Sequence, residues 1–257
     1  MPTKSVVLLR CHDQKPNTLE NIWLITEQSP FDVYVVYDAT DKAPYESSVH
    51  KYFNFTIFDY DRTGYPLPTE EQIRDIPTPP RNPVILPIYY NPEIANILFW
   101  KEHPEYEFYW YIEYDVFFNG IWREFFSYYD NSDEDFLGPH LAHYPFGWWK
   151  KAKLETHLPM QIPDDCKFRF FGCIARYSNK FLDVLDTEYL QGNIGFYELI
   201  VPSLCALNGL KLADLNKDDL IVYTPFTCGG ANLQRTWQKA GQAFVDNCKN
   251  MLFHPIR

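Results

Sequence analysis

Along the first half of the chain, short apolar runs alternate with longer stretches whose apolar residues recur at helical spacing. Val6 to Arg10 (VVLLR) is apolar until its last residue, the pattern of a strand covered on both faces. Thr18 to Glu27 places Leu19, Ile22, Trp23 and Ile25 roughly on one face and predicts a helix. Asp32 to Asp38 (DVYVVYD) is rich in β-branched and aromatic residues, ends on a carboxylate and predicts a second strand. Phe55 to Phe58 reads as a third, weaker strand. The proline-rich stretch from Gly64 to Pro87 predicts a long loop, and such loops in compact domains are often functional. Pro92 is placed to open a helix running to Lys101. Phe108 to Ile112 (FYWYI) is again a buried strand, followed at once by Glu113-Tyr114-Asp115.

The second half is less regular. Its pattern predicts a helix over Asn119 to Tyr129, a short strand over Asp135 to Leu137, a loop over His140 to Asp165 and a strand over Phe168 to Ala175. Helices follow over Asn179 to Leu185 and Phe196 to Leu207, the latter kinked or started by Pro202. Leu212 to Leu215 and Leu220 to Tyr223 read as late strands. Strands alternating with helices argue for an α/β fold with a mostly parallel central sheet and right-handed crossovers. The expected organisation is a single domain over 1–257, with a nucleotide-binding half (1–118) and an acceptor-binding half (119–257).

Ligands of such sheets sit beyond the carboxyl ends of the strands. The polar residues there are Arg10, His12, Asp13, Asp38, Glu113 and Asp115. Neither a GxGxxG nor a GxxxxGK[ST] fingerprint is present, which disfavours a dehydrogenase or a P-loop enzyme. Two carboxylates two residues apart in extended chain point to one side, and at a buried strand end they are costly unless paired. A divalent cation, Mn2+ or Mg2+, would resolve that cost, since it takes oxygen ligands from a few carboxylates and from a substrate diphosphate. A salt-bridged or solvated strand end is the alternative.

Charge and composition narrow the partners. A net charge of −11 gives no general attraction for nucleic acid or an anionic membrane. The basic pair Lys150-Lys151, next to Trp148-Trp149, is the best local candidate for peripheral membrane contact or an anionic lipid-linked acceptor. The acidic run Asp130 to Asp135 reads as a solvated helix end. Nineteen Tyr and seven Trp are enough both to pack a core and to line a sugar or base site. Six Cys occur with no CxxC pair, so structural zinc is not expected. With neither a signal peptide nor a bilayer-spanning run in evidence, reduced thiols and a cytoplasmic location are expected.

Glu107 to Gly120 (EFYWYIEYDVFFNG) resembles the strand and DxD motif of GT-A glycosyltransferases, with Glu in the first position. Its surroundings also resemble families carrying a Trp-x-x-Glu-x-Asp-Val signature. The resemblance implies that Asp115 binds a metal and that Glu113 contacts metal or ribose. The terminal Phe253-His254-Pro255-Ile256-Arg257 resembles the His-Pro segment that supplies a third metal ligand in several such enzymes, which carries that role to His254. On its own His254 would read as a surface residue near a terminus. Gly195-Phe196-Tyr197-Glu198 resembles the Gly-x-Tyr-Glu region of the same families and makes Glu198 the candidate general base. A first-turn acid stabilised by the helix dipole is the other reading, and Asp164 and Asp165 are rival bases.

The implied activity is transfer of a sugar from a UDP- or GDP-sugar to a glycan, lipid-linked or small-molecule acceptor. Arg10, His12, Asp13 and Asp38 are candidates for holding the nucleotide. A nucleotidyltransferase could share the sheet and the acidic site, but would want a basic loop near the first strand, where only Arg10 and Lys15 are available. A non-catalytic carbohydrate-binding protein would account for the aromatics and leave the paired acids unexplained.

Overall fold

The computed structural model describes residues 5–66, 91–143, 160–215, 222–223 and 251–254. A seven-stranded sheet forms its centre, in the order β10-β6-β9-β4-β1-β2-β3. The strands are β1 (Ser5–Cys11), β2 (Asp32–Asp38), β3 (Lys51–Phe55), β4 (Phe108–Glu113), β6 (Phe136–Gly138), β9 (Ile174–Ser178) and β10 (Leu212–Asp214). The pairs β1/β2, β1/β4, β2/β3 and β6/β10 are parallel, whereas β9 runs antiparallel to both β4 and β6. The sheet therefore draws strands from both halves of the chain. β1 and β4 are buried on both faces, which is why they read as continuous apolar runs rather than alternating ones.

Six helices flank the strands among the described residues: α1 (Pro16–Gln28), α2 (Ile57–Arg62), α3 (Ile94–Glu102), α4 (Trp122–Tyr128), α5 (Asn179–Leu190) and α6 (Tyr197–Leu207). Two smaller sheets complete the frame. One joins β5 (Phe117–Asn119), β12 (Met251–Phe253) and β11 (Val222–Tyr223), and the other pairs β7 (Ala142–His143) with β8 (Phe168–Arg169).

Several expected elements shift for identifiable reasons. The third strand is Lys51–Phe55, not Phe55 to Phe58, because Thr56 and Asp59 form a capping box that starts α2 at Ile57. The helix expected from Asn119 begins at Trp122, since Phe117–Asn119 is claimed by pairing with β12. Phe168 to Ala175 is two strands separated by a loop at residues 170–173. The expected loop from His140 contains β7 and, at its end, a short 3-10 turn over Asp164–Cys166. Trp148, Trp149, Lys150 and Lys151 lie outside the described residues, as does most of the proline-rich stretch.

The aromatic residues are largely spent on the core. Trp110, Trp122, Tyr60, Tyr109, Tyr111, Tyr177 and Tyr189 are among the largest fully buried side chains. Trp110 packs on Phe125, Phe126 and Tyr129 at centroid distances of 5.4–5.5 Å, which fixes α4 against β4.

Arg176 of β9 is 2% exposed and sits 4.1 Å over the Phe108 ring. Its guanidinium donates to the carbonyls of Tyr129, Ser132 and Glu134 and to the Ser132 hydroxyl, each at 3.0 Å. The acidic run is thus more than a solvated helix end. Its backbone is gathered on a buried cation, and Asp135 accepts hydrogen bonds from Ser178 and from the Lys211 amide. Arg176→Met would leave these carbonyls without their donor, at an expected cost of roughly 3 kcal/mol or more. The check is a urea midpoint that falls at unchanged slope; an unshifted midpoint would show that water replaces the guanidinium freely.

Candidate metal centre

β4 ends at the carboxyl rim of the sheet, and its last residue is Glu113. The chain then turns tightly, with Val116 donating to the Glu113 carbonyl at 3.0 Å. Three other residues hold this turn through four hydrogen bonds. The Glu113 amide donates to the Cys173 carbonyl and the Tyr114 amide to the Arg10 carbonyl, each at 3.0 Å. From α1, the Asn21 amide donates to the carbonyls of Tyr114 at 2.8 Å and Val116 at 2.9 Å. Asp115 lies inside this clamp and is 7% exposed.

His254 arrives from the far end of the chain. β12 pairs antiparallel with β5 in a register that sets Phe253 opposite Phe117, Leu252 opposite Phe118 and Met251 opposite Asn119. The next residue, His254, is therefore carried up to the Glu113–Val116 turn. Its Nε2 lies 2.9 Å from Glu113 Oε2 and 3.3 Å from Asp115 Oδ1. The Phe171 ring packs edge-on against the imidazole at 5.6 Å.

One oxygen from each acid and one imidazole nitrogen lie within 4.8 Å of one another. This donor set fits a divalent cation of the Mn2+ type. Two carboxylates supply charge, the imidazole suits Mn2+ better than Mg2+, and such an ion would keep coordination positions for further oxygen ligands. Without an ion, a proton does part of the same work. Burial alone would lower the His254 pKa, but hydrogen bonds to Asp115 and Glu113 and their charge outweigh it and raise it to about 9. Burial would likewise raise the Glu113 carboxyl. The His254 hydrogen bond and charge, then the charge of Arg10 and the Tyr111 hydroxyl at 3.0 Å, bring it below its ordinary value.

Glu198 sits in the first turn of α6 and is 4% exposed. Pro202, four residues on, has no N–H to give, so the Glu198 carbonyl is left out of the helical ladder. The Phe170 amide takes it at 3.0 Å, while the Glu198 carboxylate accepts from the Gly172 amide at 2.9 Å. A Cβ at Gly172 would come within 2.1 Å of the Tyr197 ring, so any larger residue would have to displace that ring. The loop at residues 170–173 thereby links Glu198 to the centre: Phe171 touches His254, and Cys173 holds Glu113.

The remaining sequence candidates share the rim in different states. Arg10 reaches Tyr111 at 3.5 Å and is opposite Glu113 in the β1/β4 register. His12 packs against Tyr114 at 4.8 Å, and its backbone carbonyl accepts from Lys42. Asp13 is engaged locally with the Lys15 ammonium and the Thr18 hydroxyl, both at 2.6 Å, at the entry to α1. Asp38 is 6% exposed and accepts from the Thr40 amide at 2.9 Å, closing the turn after β2. Asp164 is bound to Lys167 at 2.6 Å on a surface turn. Asn21 and Gly172 support the centre and carry no sequence signal of their own, because each acts on groups that only the fold brings near; Pro202 is legible as a helix breaker, but what its freed carbonyl partner meets is not.

No protein-family model matches the chain, and no curated protein matches it significantly.

The raised His254 pKa gives a signed pH dependence. An unfolded imidazole loses its proton near 6.5 and the folded one near 9. The stabilising contribution is therefore fully present below about pH 6.5 and lost as pH rises toward about 9. Mn2+ needs the neutral ring, so its affinity is expected to climb about tenfold per pH unit up to about pH 9. Thermal unfolding across this range, with and without Mn2+, reads both trends; a metal-induced shift independent of pH would remove His254 from the ligand set. Asn21→Ala is expected to weaken Mn2+ binding about ten- to a hundredfold by loosening the turn, and unchanged affinity would show that the turn holds itself.

Proposed function

We propose that this chain is a metal-dependent glycosyltransferase of the GT-A type that uses a UDP- or GDP-sugar as donor. The observation that carries this reading is the meeting of Glu113, Asp115 and His254 at the carboxyl end of a central strand. Segments 141 residues apart supply the three ligands, and the sheet beneath them is the kind that binds nucleotides at this rim. Arg10, His12 and Asp38 stand on the same rim for the nucleotide, whereas Asp13 is spent on the α1 entry.

The chemistry follows from the groups present. The bond between the anomeric carbon and the diphosphate oxygen breaks, a bond to the acceptor hydroxyl oxygen forms, and the nucleoside diphosphate leaves. A bound cation supplies charge neutralisation to that leaving group. Glu113, Asp115 and His254 would hold such a cation, and Arg10 adds positive charge beside them. For an inverting reaction Glu198 takes the acceptor proton. The Gly172 amide fixes one carboxylate oxygen and so sets the orientation of the group. The acceptor is a glycan, a lipid-linked sugar or a small molecule, with no nucleic acid expected at a net charge of −11.

A nucleotidyltransferase has less support, because the Lys15 ammonium beside the first strand is already tied to Asp13 at 2.6 Å. A cytoplasmic location accords with the free thiols of Cys11, Cys166, Cys173 and Cys205 and with the lack, among the described residues, of a helix long and apolar enough to cross a membrane.

Two substitutions test the reading against a panel of UDP- and GDP-sugars with Mn2+. Asp115→Asn is expected to cut nucleoside diphosphate release about a thousandfold while the fold is kept. Glu198→Gln is expected to lower kcat by roughly two to four orders of magnitude with donor affinity nearly unchanged. Wild-type turnover by Asp115→Asn would refute the metal role. Loss of donor affinity in Glu198→Gln would make Glu198 a support for the loop at residues 170–173 instead of a base.

A further inference from the structure

The start of α3 carries a group of buried polar atoms with no hydrogen-bond partner among the described residues. They are Asn91 Oδ1, Glu93 Oε2 and both polar atoms of the Asn96 amide. Asn91 is 0% exposed, and Glu93 and Asn96 are each 1% exposed. Glu93 and Asn96 are three residues apart and so share a helix face. The group is ordered rather than loose. The Asn91 amide donates to Glu93 Oε1 at 3.1 Å and to the Gly195 carbonyl at 2.7 Å, and the Tyr189 hydroxyl also donates to Glu93 Oε1. Glu93 and Asn91 are thus each held at one end, with an unmatched atom at the other.

Leaving such atoms unmatched forfeits their hydration without return, and native proteins keep few of them. A stretch that keeps four has a use for them or encloses water. Its position favours a use. Arg10 acts electrostatically on both Glu93 and Glu113, and Tyr60, which also feels Arg10, sets its hydroxyl 3.5 Å from the Asn91 carbonyl. The polar group therefore shares the field of Arg10 with Glu113, and Asn91 is bonded at Gly195 to the loop that leads into α6 and Glu198.

We infer that Asn91, Glu93 and Asn96 form the subsite for the sugar ring of the donor and take its hydroxyl groups. The inference rests on the glycosyltransferase reading. Amide and carboxyl groups together offer donors and acceptors, which matches neighbouring hydroxyls that both give and take hydrogen bonds. A phosphate takes only donors and is repelled by a carboxylate, so a neutral polyol fits this group and an anion does not. Burial pushes the Glu93 carboxyl up to about 7, so near neutral pH it can give as well as accept.

The test compares wild type with Asn96→Leu by calorimetry with Mn2+, using UDP and GDP on one side and a UDP-hexose and a GDP-hexose on the other. Removing an unmatched amide should keep or raise the melting temperature, while affinity for the intact nucleotide sugar falls about tenfold and affinity for the free diphosphate stays within about twofold. Where Asn96→Leu does not fold, Glu93→Gln keeps the shape, and the same split is expected. Equal affinities for the intact donor in wild type and variant would overturn the subsite and leave enclosed water as the occupant. An equal loss for diphosphate and nucleotide sugar would also overturn it. Failure of wild type to bind any of the four would strike the glycosyltransferase reading itself, and the subsite with it.

Discussion

Two carboxylates held side by side at a buried strand end are the constraint on which the rest of this structure turns. Two carboxylates packed this closely in a buried setting are costly without a cation close by. The fold provides one in the form of the protonated His254 imidazole, whose pKa is raised to about 9 by the acids it faces. That proton occupies the role a divalent ion would take. A site that binds a proton this firmly is already shaped for positive charge, and exchange of the proton for a metal links pH, stability and ion affinity in one equilibrium.

Much of the surrounding architecture serves to hold that arrangement. The parallel pairing of β1 with β4 sets Arg10 beside Glu113, and the antiparallel β9 lies on the other side of β4. Asn21 clamps the turn from α1, and the Cys173 carbonyl clamps it from the loop after β8. That loop is in turn pinned by the backbone and the side chain of Glu198. The freeing of the Glu198 carbonyl by Pro202 shows how a residue that breaks a helical bond can make a docking point. Support at three sides is the kind of packing that preorganised sites need to hold their donor atoms in place.

What the sequence showed and what it hid divide along physical lines. The buried strands and the paired acids were legible because continuous apolar runs and a two-residue repeat are local patterns. The nature of the sheet, mixed at β9, was hidden because strand direction is decided by pairing between distant segments. Thr56 and Asp59 displaced the third strand through a capping box that was available to be read, its Thr56 two residues before the expected end at Phe58. His254 stood out only by resemblance, since its approach depends on the register of β12 with β5. Asn21, Gly172 and the orphaned atoms of Asn91, Glu93 and Asn96 were beyond reach, because their significance lies in what they do or do not touch.

The central claim is that Glu113, Asp115 and His254 hold one divalent ion. Pulsed electron paramagnetic resonance of the Mn2+-loaded chain tests it most directly, since bound Mn2+ reports a coordinating histidine nitrogen. The expected result is a single tightly bound ion whose spectrum carries that nitrogen modulation, lost in His254→Gln and kept in a control such as His103→Gln. A chain that takes up no stoichiometric Mn2+, or a modulation that survives His254→Gln, would contradict it.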